Sequence, residues 1–111
     1  MDNQKNDNYY ISKIIQDLEF VMEHTKGKTA NEIESNLLLM DSIMFRIVQI
    51  AENAEKLTAE FKQTHEEIRW RSIKGMRNRI VHDYGFMNIA IVYDTVTNSI
   101  PELHSQLKSL S

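Results

Sequence analysis

The segment Lys74-Gly75-Met76-Arg77-Asn78-Arg79-Ile80-Val81-His82-Asp83-Tyr84 holds the side chains of this sequence best suited to chemistry. An arginine guanidinium can grip a phosphate through a bidentate fork, and a histidine titrates near neutrality. Together they are the parts needed to cleave a phosphodiester without a metal. On a helix Arg77 and Tyr84, seven apart, project about 20° from each other, and Asn78 and His82, four apart, about 40°. Arg77 and His82, five apart, stand about 140° apart on an ideal wheel. They meet through the reach of the arginine, an unwound helix end or a second subunit. Taken alone, an arginine and a histidine near a helix end also suit a cap and a surface charge, and the spacing leaves both readings open.

Charge supports an anion site here. Residues 69–82 carry five basic side chains (Arg69, Arg71, Lys74, Arg77, Arg79) and no acid. Those five of the thirteen Lys and Arg leave eight against sixteen Asp and Glu elsewhere, an acidic body with one basic segment. That balance argues against a membrane-surface protein and allows a local phosphate site. Other chemistries find no footing. With no cysteine there is neither a thiolate ligand nor a cysteine nucleophile, and a reducing cytoplasm is the natural setting. His65-Glu66 starts like a zinc-protease motif, but Arg69 stands where the second histidine is needed. Histidines 24, 65, 82 and 104 are too far apart for local metal pairs, so no metal site is expected. Glycines only at 27, 75 and 85 cannot form a phosphate-cradling loop. Glu66-Glu67 reads as a solvated turn, since no apolar flanks raise a carboxyl pKa there. No apolar run approaches a membrane span, and the polar first residues lack the apolar stretch of a signal peptide.

The elements that must position these groups are helical. A chain of 111 residues suits one domain, covering 1–111, and Lys28 to Lys74 contains neither glycine nor proline, which leaves few places for hairpin turns. Ile11, Ile14, Ile15, Leu18, Val21 and Met22 form one stripe, so a first helix is expected over about Tyr9 to Lys26, stopped near Gly27. Thr29 and Glu32 have capping-box spacing, followed by a stripe of Ile33, Leu37, Met40, Met44, Ile47, Ala51, Ala54, Leu57 and Phe61. One unbroken helix from Thr29 to Gln63 would be about 50 Å long, against a radius of gyration of about 13 Å for a globule of this size. A break at Ser35-Asn36, or packing along a partner, is therefore expected. Ile68, Ile73, Met76, Ile80 and Val81 predict a third helix closing near His82 to Gly85, with Gly75 inside it. Asn88 can cap a fourth helix with the stripe Ile89, Val92, Tyr93, Val96, Ile100, Leu103, Leu107 and Leu110, kinked at Pro101. The fold class is all-α, an up-and-down bundle of four to five helices that dimerises.

The basic segment resembles a known family. Arg77-Asn78-x-x-x-His82-x-Tyr84, preceded by Trp70-x-x-Ile73-x-Gly75-Met76, is similar to the HepT-like toxins of the HEPN superfamily, marked by an arginine, a polar residue and a histidine after four to six positions. Ile50-Ala51-Glu52-Asn53-Ala54 and Tyr93 through Ile100-Pro101-x-Leu103 extend the likeness to about residues 9–110. Ala51 replaces the usual glycine, Tyr93 a frequent tryptophan, and no proline precedes Trp70; these departures touch packing more than the site.

The resemblance implies a homodimeric helical bundle in the cytoplasm that cuts RNA with neither metal nor cofactor. It would be the toxin of a type II-like pair whose antitoxin, a minimal nucleotidyltransferase, transfers AMP onto Tyr84. Motifs of two subunits would face each other across a shared cleft, which resolves the wheel problem. His82 would be general base toward a ribose 2′-hydroxyl or acid toward the leaving 5′-oxygen, and Arg77 would stabilise the phosphorane-like transition state. Asn78 could orient His82 or a phosphate oxygen, and Lys74 and Arg79 could track the RNA backbone. Two other readings stand beside this: a noncatalytic helical module that holds a nucleotide or docks a nucleotidyltransferase, and a structural dimer without ligand.

Overall fold

Short-range side-chain caps open five of the helices among the described residues. The computed structural model describes residues 5–81 and 88–110. Asn6 accepts from the Tyr9 N–H at 2.9 Å and opens α1 (Asp7–Thr25). Gly27 ends that run with φ +75°, the left-handed conformation that a side chain would strain. The Thr29 hydroxyl accepts from the Glu32 N–H at 3.1 Å while the Glu32 carboxylate accepts from the Thr29 N–H at 2.8 Å, a complete capping box on α2 (Ala30–Glu34). The chain breaks at Ser35-Asn36, as expected, and the side-chain oxygen of Asn36 caps α3 (Leu37–Glu55) by accepting from the Leu39 N–H.

The expected stripe to Phe61 does not stay on one helix. Thr58 accepts from the Phe61 N–H and starts α4 (Ala59–Thr64), and its own N–H and hydroxyl both donate to the Asp7 carboxylate at 2.8 Å. A tertiary bond across 51 residues thus fixes this second break. The longest pieces, α1 and α3, have 19 residues each, about 28 Å, inside a body of 43 × 26 × 22 Å.

Next come α5 (Trp70–Ile80), α6 (Ile89–Asp94) and α7 (Ile100–Lys108). Asn88 caps α6 as expected, accepting from Ala90 and Ile91. The bend expected at Pro101 takes the form of a π-helical turn, Thr95–Ser99, in which the Ile100 N–H reaches the Thr95 carbonyl. Pro101 has no N–H to give Thr97 and its ring crowds that carbonyl, and widening the preceding turn accommodates both defects.

Helix α1 packs on α3 and α7, and α3 on α5. Ile14, Leu18 and Val21 of α1, Ile43, Ile47 and Ile50 of α3, Ile80 of α5, and Ile100 and Leu107 further on are buried together. Among the described residues the fold is helical throughout, and its long members form the expected all-α bundle. One stripe residue is corrected. Leu37 is 76% exposed, as are Leu38 (78%) and Phe45 (57%), because Leu39, Met40 and Ile43 turn inward instead. Met44 is half-buried.

Two polar links tie the helices. Asp17 is buried and accepts from Arg46 at 2.7 Å, joining α1 to α3. The His104 ring nitrogen lies 2.9 Å from a Glu19 carboxylate oxygen, joining α7 to α1, and that hydrogen bond holds the Glu19 carboxyl below its usual value. Gly75 sits mid-helix with nothing within 4 Å of where a Cβ would stand. Gly75→Ala should therefore raise unfolding stability by about 0.5–1 kcal/mol in urea denaturation, by removing backbone freedom from the unfolded chain. A loss of stability would mean that the position does not tolerate a methyl group.

Candidate functional site

Helix α5 carries the candidate residues, and its register decides which of them can act together. Ile73, Met76 and Ile80 are buried and fix the inner face, which leaves Lys74, Arg77, Asn78 and Arg79 exposed. The amino end is held by Trp70, whose indole N–H lies 3.2 Å from the Lys62 carbonyl and 3.1 Å from the His65 carbonyl, tying α5 to α4.

At 100° per residue, Trp70, Lys74 and Arg77 fall within about 60° of one another on one side of the inner face. Arg79 falls about 160° from Arg77. It approaches the Asp94 carboxylate at 3.8 Å, and Asp94 also accepts from the Asn98 amide at 2.9 Å. The structure thus brings Lys74 to the side of Arg77 and sets Arg79 apart, toward α6. Arg77 donates to the Asn78 side-chain oxygen at 2.9 Å, so these neighbours are already joined. Lys74 lies 3.8 Å from Glu55, with both side chains about two-thirds exposed. Such a surface pair is worth little and yields readily to a phosphate.

His82, Asp83 and Tyr84 lie outside the described residues. The last described turn before them carries Arg77 and Arg79, where cations also complement the negative end of the helix dipole. Among the described residues no group of three or more His, Cys, Asp or Glu is placed to hold a metal ion, and no helix is long and apolar enough to cross a membrane. Glu66 and Glu67 are exposed, with Glu67 3.8 Å from His65.

A feature that motif spacing did not single out lies beside this face. Between α3, α4 and α5, an open pocket of about 260 Å³ is lined by Ala51, Ala54, Ile73 and Trp70 together with Glu55, Lys62, Arg71 and Lys74. The i, i+4, i+7 relation of Trp70 to Lys74 and Arg77 shows in the sequence that these three share one side of α5, though not that a pocket lies beside them.

The sequence of this helix and its supports is that of a known group. The family model described as "Ribonuclease HepT-like" matches residues 14–110. The chain is 31% identical to a protein of Caldanaerobacter subterraneus subsp. tengcongensis named "Putative RNase", over 91% of this chain and 90% of that one. It is 24% identical to a "Probable ribonuclease HepT" of Thermococcus cleftensis, over 91% of this chain and 92% of the relative. This chain belongs to the HepT-like ribonuclease family of the HEPN group. No solved structure matches it.

Proposed function

We propose that the protein is a metal-independent endoribonuclease that works as a cytoplasmic homodimer, the toxin of a toxin–antitoxin pair. The observation that carries this reading is the family match over residues 14–110, which includes the whole Arg77-Asn78-x-x-x-His82-x-Tyr84 segment. The exposed Arg77, with Lys74 on the same side of α5, supports it as a place for an RNA phosphate.

In this mechanism Arg77 grips the scissile phosphate and His82 takes the proton of the ribose 2′-hydroxyl. The 2′-oxygen attacks phosphorus, the bond to the 5′-oxygen breaks, and that oxygen leaves with a proton donated by a histidine. Arg77 meets the charge that builds on the phosphorane-like transition state. The products are a 2′,3′-cyclic phosphate and a 5′-hydroxyl. Asn78 orients Arg77 or a phosphate oxygen, and Lys74 guides the backbone. Arg79, turned toward Asp94, contributes to the long-range field more than to the strand's path.

Two subunits supply the groups that one wheel keeps apart. The exposed Leu37, Leu38 and Phe45 are apolar surface of the kind a partner covers. Sedimentation at micromolar concentration should show a dimer; a fully active monomer would remove the shared cleft. The activity itself is tested by incubating purified protein with total RNA and with tRNA in EDTA, beside His82→Ala. Cleavage by the wild type alone supports the reading, and cleavage by both removes histidine chemistry.

Control falls to Tyr84. A minimal nucleotidyltransferase antitoxin transfers AMP to its phenol: the tyrosine oxygen attacks the α-phosphorus of ATP and pyrophosphate leaves. The added phosphodiester charge and base then repel and block RNA at the cleft. Mass spectrometry of co-expressed protein should find the AMP on Tyr84, and Tyr84→Phe should stay toxic beside the partner. Complete silencing of that variant would place control elsewhere.

A further inference from the structure

The pocket beside Trp70 combines features that a single-stranded nucleic acid needs. Its apolar lining includes Ala51 and Ala54 of α3 with Ile73 of α5, and the small alanine side chains take up little of the space. At about 260 Å³ it lies just under the roughly 300–1,000 Å³ of sites that engulf a drug-sized ligand. That suits one flat base whose ribose and phosphate stay outside. Trp70 forms one wall with its plane already set: both indole hydrogen bonds run to α4 carbonyls or the turn after it, and Phe61 packs on the ring at 6.1 Å. A fixed aromatic face stacks any base without paying to order itself.

The charged residues of the lining match the rest of a nucleotide. They are Lys62, Arg71 and Lys74, three basic residues against the single carboxylate of Glu55. Among the described residues Lys74 pairs with Glu55 at 3.8 Å across an exposed surface, a contact that a phosphate can displace. The Glu55 carboxylate can accept from an exocyclic amine of adenine or cytosine. The pocket also lies on the right path, because Trp70 precedes Arg77 by seven residues on the same side of α5, about 10 Å along the axis.

The geometry points to this pocket as a base-binding subsite: it stacks one base of a single-stranded RNA on Trp70 while a neighbouring phosphate of the same strand sits at Arg77. This rests on the ribonuclease reading for the identity of the strand and adds a second point of grip to it.

Trp70 is the only tryptophan in the chain, so its fluorescence reports on this wall alone. The probe is a 2′-O-methyl RNA octamer of adenine and cytosine, which offers no 2′-hydroxyl for attack, compared with an abasic octamer of the same backbone. The base-bearing strand should quench Trp70 by more than half and bind at least about fivefold tighter than the abasic strand. Trp70→Leu, checked for cooperative melting, should lose about tenfold for the base-bearing strand and nothing for the abasic one. The contrast between the two strands on the wild type decides the matter even if that variant does not fold. Equal affinity for both strands, no base-dependent quenching, or no binding of either overturns the subsite. Base-dependent quenching by a protein that leaves RNA uncut would retain the subsite and remove the nuclease. RNA cleavage without base dependence would do the reverse.

Discussion

Arg77→Ala and His82→Ala should each lower RNA cleavage by at least about a hundredfold while leaving the melting temperature within a few degrees of wild type. General acid–base transfer by a positioned histidine contributes about 10²–10⁴ in rate, and one donor aimed at transition-state charge about 10²–10³. Arg77 is exposed and makes its hydrogen bond to adjacent Asn78. Its structural worth is therefore that of a cation in a last helical turn, a few tenths of a kcal/mol. Arg77→Lys keeps that charge but loses the two-pronged grip, and it should stay well below wild type in rate. Initial rates on a labelled RNA, with thermal melts of the same samples, separate the effects. An Arg77→Ala protein that unfolds would make the residue a cap, and full activity in Arg77→Lys would reduce it to a point charge.

The largest expected loss of stability lies elsewhere, in an asymmetry between two partners. Arg46 reaches the Asp17 carboxylate at 2.7 Å, and its guanidinium lies 3.9 Å from the Phe20 ring centroid. The Asp17 side chain is only 9% exposed, whereas that of Arg46 is 32% exposed. Arg46→Ala strands a buried carboxylate and removes a cation packed on an aromatic face. It should cost about 2–3 kcal/mol, below the full buried-pair figure because water reaches the arginine side. Asp17→Asn leaves a guanidinium that solvent can still reach, and should cost about 1 kcal/mol. Urea denaturation of both variants checks the order. Equal losses, or a larger one for Asp17→Asn, would mean that burial of the carboxylate is not what makes the pair matter.

What could be read from the sequence follows the range of the forces involved. The Thr29–Glu32 box, the Asn36 and Asn88 caps and the stop at Gly27 depend on atoms three or four residues apart, and the chain displays them. The break before Thr58 does not show in periodicity, because apolar spacing continues through Leu57 to Phe61. Asp7, distant in sequence, completes that junction. Leu37 departs from its expected place on the inner ridge for a related reason. The sets 37, 40, 44, 47 and 39, 40, 43, 47, 50 share members, and only packing against α1 selects the second. The bend near Pro101 was legible in its cause but not in its form.

At the candidate site the exposed residues of α5 were legible by type, and the 100° rule separates Arg79 from Arg77. Motif spacing alone places Arg79 with Lys74 along one backbone path. The Trp70 pocket needs Ala51 and Ala54 from another helix, which no local spacing announces.

The central claim, that this protein cuts RNA through a 2′-hydroxyl without a metal, is tested most directly by the ends it leaves. A defined RNA that the protein cleaves is digested in excess EDTA and its fragments are weighed by mass spectrometry, beside the same RNA carrying one 2′-O-methyl group at the cleaved position. The account predicts undiminished cleavage in EDTA, a 2′,3′-cyclic phosphate on one fragment, a 5′-hydroxyl on the other, and an intact methylated strand. Fragments ending in a 3′-hydroxyl and a 5′-phosphate, activity abolished by EDTA and restored by a divalent cation, or cutting at the methylated position would contradict it.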